Sequence, residues 1–161
     1  LTSKLNILLD TIISRCQIVR FRSLSATQIT SISEEYFDPL NYSINSKLNI
    51  QDLINSANGS SGQLLKNIET WDELSDEIAN KLTSPLKKSL EILEVSKLIS
   101  EKLEVYQQIL LVNLIQIIWW RKTKNINLIK KLEELKFHLK KNTQPRLAWE
   151  IIFLKISMEC G

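Results

Sequence analysis

The residues of this chain that could do chemistry are few and far apart. Its single histidine, His138, stands between Phe137 and Leu139 and is expected to have no Cys or acidic ligand one helical turn away, so it reads as a surface or interface side chain. Cys16 and Cys160 form no CxxC pair, which leaves neither a zinc site nor a disulfide framework and fits a reducing compartment. Asn58-Gly59-Ser60-Ser61-Gly62 is glycine-rich enough to suggest phosphate binding, yet it follows a helical pattern and lacks the GKS/T ending of a P-loop. The chain therefore has no nucleotide cradle of its own, no metal site and no catalytic constellation. One segment stands out, Leu8-Leu9-Asp10-Thr11-Ile12-Ile13-Ser14-Arg15-Cys16-Gln17. It places Arg15 at the end of an apolar helix between two small neighbours. Spacing leaves two roles open for that guanidinium: projection outward to an anion, or neutralisation of the last carbonyls of its own helix.

The elements that must position these residues read as helices. Gly and Pro occur three times each in 161 residues, 43% are hydrophobic and 24% charged, and the apolar period is mostly three to four. Disordered, collagen-like and disulfide-rich classes are excluded. Leu5, Leu8, Leu9, Ile12 and Ile13 mark a first helix, and residues 17–22 alternate as a short extended link. Ser25-Ala-Thr-Gln28 has capping-box form and opens a helix that ends before Asp38-Pro39. Further helices are expected from about Asn49 to Ala57 and after Ser60-Ser61-Gly62. A capping box at Thr70-Trp-Asp-Glu73 is expected to open the next, to about Leu82, with the division between two lobes placed there. Ser84-Pro85 predicts another helix, with Leu86, Leu90 and Leu93 on one face. Leu103 to Trp120 reads as a buried central helix. Its core run, Leu110 to Trp120, is only 11 residues and is interrupted by Asn113 and Gln116, where a bilayer span needs about 20. Ile126–Leu139 and a helix opening at Thr143-Gln-Pro145 complete the chain.

Charge is unevenly spread. Residues 1–120 hold 11 Lys and Arg against 14 Asp and Glu, and residues 121–161 hold 10 against 4. The basic end could be a footprint for phosphates. Lys130, Lys131, Lys136, Lys140 and Lys141, however, alternate with Leu132, Leu135 and Leu139 at helical spacing, as on the wet side of an amphipathic helix. No signal-peptide pattern opens the chain, which begins at Leu1 and reads as a trimmed piece of a longer protein.

The segment Thr11-Ile-x-Ser14-Arg15-Cys16-Gln17 resembles the Ser-Arg-Cys motif of AAA+ clamp-loader subunits, which open and load sliding clamps. Ala57-Asn-Gly59-Ser60-Ser61-Gly62-Gln63 resembles the Gly-Ser-x-Gly element of their lid domain, and Gln144-Pro145-Arg146-Leu147-Ala148-Trp149-Glu150 the opening of the final collar helix. Within that family the pattern is most similar to the delta-prime subunits of bacterial DNA polymerase III, because Gly62-Gln63 replaces the Arg-Asp continuation usual in ATPase subunits. Asp10 departs from the Pro that the family often has there.

The resemblance implies an all-α chain in three parts: residues 1–22 as the last helix and end of an AAA+ base domain, 23–69 as a three-helix lid, and 70–161 as a collar of four to five helices. It implies that Ser14, Arg15 and Cys16 form the motif, with Arg15 acting as an arginine finger in trans, and that ATP and Mg are bound by neighbouring subunits. Partners would be the other loader subunits, in a hetero-pentamer joined through the collar, with the sliding clamp and primed DNA engaged by the whole complex in the cytoplasm. Leu103–Trp120, Trp149 and Ile152 are expected to supply the apolar collar interface. A different class competes with this reading: a stand-alone helical adaptor that binds nucleic acid through basic residues 121–155.

Overall fold

Residues 9–17, 19, 22–36, 50–141 and 144–159 are described by a computed structural model, and among them every regular element is helical. In order these are α1 (Asp10–Ile13), α2 (Ala26–Tyr36), α3 (Ile50–Ser56), α4 (Ser61–Asp72), α5 (Asp76–Leu82), α6 (Ser89–Lys102), α7 (Val105–Thr123), α8 (Ile126–Lys140) and α9 (Pro145–Glu159). Residues 1–8, the alternating positions Ile18, Arg20 and Phe21, the stop at Asp38-Pro39, Asn49, Thr143 and Cys160 lie outside the described residues.

Local chemistry explains most boundaries. The expected box at Ser25 forms: Gln28 N–H donates to Ser25 Oγ at 3.2 Å and Ser25 N–H to Gln28 Oε1 at 2.9 Å, so two end groups of α2 are satisfied reciprocally. After α3 the chain turns through left-handed Asn58 (φ 49°) and Gly59 (φ 81°), and Ser60 then caps α4 by accepting from Gln63 N–H.

Three boundaries differ from the sequence expectation. Thr70 caps nothing, because Leu64, Ile68 and Trp71 continue one apolar stripe and all three are buried, so α4 stays wound to Asp72. The expected lobe division between 69 and 70 thus falls inside a helix, and the next helix starts at Asp76. Ser84-Pro85 opens no helix either. Residues 84–88 carry no regular structure, Leu86 drops into the core from this stretch, and α6 begins at Ser89. The later start changes the phase: Ile92, Val95 and Ile99 face inward, while Leu90 and Leu93 are exposed. Finally, Leu103 is not the start of the central helix but the cap residue of α6, and a box between Glu104 and Gln107 opens α7.

α7 is the axis. It packs against α3 and α4 on one side and against α6 and α8 on another, while α9 covers α6 and α8. The buried apolar residues form one contiguous cluster from Ile29 on α2 to Ile156 on α9. Within it Leu111, Val112, Leu114, Ile115, Ile118 and Trp119 of α7 are all enclosed. Each large buried aliphatic or aromatic side chain contributes roughly 1.5–3 kcal/mol, and among the described helices α7 supplies the most of them.

Its polar groups are matched as they are buried. Trp119 Nε1–H donates to Leu82 O at 2.8 Å, joining α7 to the end of α5. Gln108 donates through Nε2 to Leu103 O and accepts from Trp149 Nε1–H, both at 2.8 Å, which joins the start of α7 to α9. Gln107 likewise donates to Glu73 Oε1 at 2.7 Å and accepts from Glu104 N–H.

Adjacent tryptophans therefore have opposite roles. Trp119 is fully buried and Trp120 is 42% exposed. Trp119→Phe, which orphans the Leu82 carbonyl, is expected to lower unfolding free energy by about 1–3 kcal/mol, and Trp120→Phe by no more than about 0.5 kcal/mol, in urea titrations followed by circular dichroism.

Candidate functional site

The Ser-Arg-Cys motif sits at the end of the short helix α1. Ser14, Arg15 and Cys16 are all exposed, and Ser14 Oγ–H donates to Thr11 O at 3.2 Å. Among the described residues the Arg15 guanidinium meets no carboxylate. The side chain is exposed, and among the described residues no ion pair holds it.

The route from this motif to the helical body runs through Gly59. Leu24 N–H donates to Gly59 O at 2.9 Å, and a Cβ on residue 59 would lie 2.5 Å from Ser23 Cβ and 2.9 Å from Leu24 O. Only glycine allows both the left-handed backbone and this approach. The Gly-Ser-x-Gly element thus serves as a docking point for residues 23–24, and Ser60 of the same element caps α4.

One charged pair ties α3 to α7. Asp52 is 2% exposed, and Arg121 Nη2 lies 2.9 Å from its Oδ2 without the alignment of a hydrogen bond. Burial pushes the Asp52 carboxyl above its ordinary range, against the opposing pull of Arg121 and Lys122. The sequence reading missed this pair. The available signal was an acid next to the apolar Leu53 and Ile54 in a short helix.

Beside the pair, α3, α7 and α8 enclose a groove of about 720 Å³. Asn55, Asn58, Asn113 and Gln116 give it amide edges, and Ile117, Trp120, Ile126 and Ile129 an apolar surface. Lys136 is fixed in its wall: Nζ donates to Asn113 Oδ1 at 3.0 Å and Gln116 Oε1 at 3.1 Å, and pairs with Glu133 Oε1 at 2.5 Å. Glu133 is itself partly desolvated, but hydrogen bonds from Lys136 and Gln116 prevail and hold its carboxyl below the ordinary range.

The expected interface residues are placed otherwise. Trp149 and Ile152 are fully buried against the chain's own helices, as are Leu111, Val112, Leu114, Ile115, Ile118 and Trp119 of α7, because α3, α4, α6, α8 and α9 supply enough cover within one chain. The large apolar side chains left outside include Trp120 and Ile126 at the groove, Leu147 and Ile151 on α9, and Leu90 and Leu93 on α6.

The basic segment is largely committed within the molecule. Lys122 Nζ donates to Thr83 O at 2.7 Å, Lys131 pairs with Glu159, Arg146 with Glu150, and Lys155 with Glu134. Lys124 lies 5.4 Å from the Trp120 ring centroid and Lys141 4.2 Å from that of Phe137. Glu134 Oε1 also lies 3.5 Å from His138 Nε2, an acidic neighbour one turn away that the sequence reading overlooked. Among the described residues no group of three His, Cys, Asp or Glu is placed to hold a metal, and no helix is long and apolar enough to cross a membrane.

The described residues form an all-helical bundle, and comparison gives the class of domain to which it belongs. A family model described as Cyanobacterial DNA polymerase III delta prime, C-terminal domain, matches residues 40–156. The chain belongs to this family and is part of a DNA polymerase III clamp-loader subunit. No curated protein and no solved structure matches it. The Arg15 motif lies before the matched residues, and Gly59, Asp52, Arg121 and the groove lie within them.

The Asp52 carboxyl supplies a pH test with a definite sign. Its folded-state affinity for a proton is raised, so its contribution to stability is greatest below the ordinary carboxylate value and is lost as pH rises through the raised one. Comparing unfolding free energies of the native chain and Asp52→Asn, the difference should move in favour of the native chain as pH falls from 7 toward 4. A shift the other way would show that Arg121, not burial, governs this group.

Proposed function

We propose that this chain forms the lid and collar of a delta-prime subunit, assembling the clamp-loader ring and lending Arg15 to the ATP site of its neighbour. In this reading residues 1–22 end the base domain, and the lid of residues 23–69 and the collar of residues 70–161 meet within α4. Membership of the delta-prime family supports the assembly role. The observation that supports the finger is the exposed Arg15 guanidinium, with no carboxylate against it among the described residues. A planar guanidinium can donate two parallel hydrogen bonds to phosphate oxygens and stabilise the charge that develops during hydrolysis. Ser14 and Cys16 pack beside it. ATP and Mg belong to neighbouring subunits, and the clamp and primed DNA are engaged by the whole cytoplasmic complex.

The nucleic-acid adaptor has less support, because cations of its segment are held by Thr83, Glu134, Glu150 and Glu159. Their phosphate contacts would first require breaking these.

For the ring contact, the groove bounded by Trp120 and Ile126 is the surface we favour, with a helix of an adjoining loader subunit as its occupant. A half-exposed Trp at a groove edge is the side chain most often dominant in such contacts.

In a loader reconstituted with the full-length subunit, Arg15→Ala is expected to leave the ring intact and reduce DNA-stimulated ATP hydrolysis by about 10³-fold or more at the site it serves. Normal hydrolysis by an assembled mutant ring would refute the finger. Trp120→Ala is expected to weaken subunit association about 30-fold, measured by sedimentation, with the helical content of the isolated subunit unchanged.

A further inference from the structure

The Asp52–Arg121 pair is an expensive object. Its carboxylate is almost wholly removed from water, its Oδ2 receives no hydrogen bond, and the cation opposite is half in solvent. Pairs of this kind contribute little net stability against an apolar replacement, but a lone buried charge can be satisfied at only one place on the facing helix. The pair therefore fixes the register of α3 on α7 at the cost of some stability.

What α3 carries next gives that register a use. Three residues after its last turn comes Gly59, whose carbonyl holds Leu24 N–H and whose missing side chain admits Ser23 and Leu24. Ser23 is eight residues from Arg15, a span of at most about 29 Å even when fully extended. Moving α3 on α7 moves Gly59, and moving Gly59 moves the root from which the motif is presented.

We infer that Gly59 and the Asp52–Arg121 pair form a two-point mount that aims the Arg15 segment, making Arg121 a positioning residue for a reaction it never touches. The inference rests on the reading of Arg15 as a finger. It joins the helix α7 to Ser23 and Leu24 through named contacts, the ion pair, α3 and the glycine dock, and Ser23 follows Arg15 by eight positions.

The test is epistasis in the reconstituted loader, using full-length subunits with Arg121→Ala, Arg121→Lys, Gly59→Ala and Arg15→Ala, alone and combined. Ring assembly is read by sedimentation, and kcat and KM for ATP from DNA-stimulated hydrolysis. Arg121→Ala and Gly59→Ala should each lower kcat between about 2- and 30-fold with KM and assembly unchanged, and Arg121→Lys should restore most of the loss. In the Arg15→Ala background neither should lower kcat further, because a mount with nothing to aim is silent. If Arg121→Ala does not fold, Gly59→Ala carries the same comparison, since its added Cβ acts at the other point. Unchanged kcat in both variants beside an impaired Arg15→Ala overturns the mount alone. So do losses that multiply with that of Arg15→Ala, which would place Arg121 and Gly59 on another route. An unimpaired Arg15→Ala overturns the finger, and the mount with it.

Discussion

The enclosure of α7 is the constraint on which the rest of the molecule depends. A helix with apolar residues on several sides must be covered on several sides, and here the cover comes from helices on both sides of it in sequence: α3, α4 and α6 before, α8 after. The chain therefore cannot separate into an independent front and back without exposing Leu111, Ile115 or Trp119 to water. The continuity of α4 through the expected division follows from the same demand, since Trp71 must stay seated in the common core.

Burial on that scale makes an unpartnered polar group costly, and α7 and α3 meet this in different ways. Gln107 and Gln108 on α7 each have both amide ends hydrogen-bonded, to Glu73 and Glu104 and to Leu103 and Trp149. Asp52 is satisfied only in part, by charge without alignment. The first arrangement is what a stable core selects; the second is tolerated where position matters more than stability. Its location between the glycine-docked segment and the long axis fits that distinction.

The sequence made the helical class plain because period and sparse punctuation act locally, and it located the start of α2 and both ends of α8 to within a residue. It failed where two local signals competed. Thr70-Trp-Asp-Glu73 and Glu104-Val-Tyr-Gln107 are similar cap patterns, yet only the second opens a helix, because the first lies on a stripe that tertiary burial keeps wound. Pro85 suits a first helical turn, but Leu86 is worth more in the core than in that turn. Trp149 and Ile152 looked like interface because a sequence cannot say which of its own helices will cover a residue. Arg15 was visible as a motif, and Gly59 as a turn. The partner of Asp52 was not visible, since 69 positions separate it from Arg121 and nothing local couples them.

The reversal between α7 and α8 has a mechanical meaning. Only Lys124, in the left-handed conformation, and the capping Asn125 separate the two helices, and Lys136 bolts them together again through Asn113 and Gln116. Such a hairpin has no slack. A neighbour that presses on the outer side of α8 therefore acts on α7 as well, and through it on the helices packed against it.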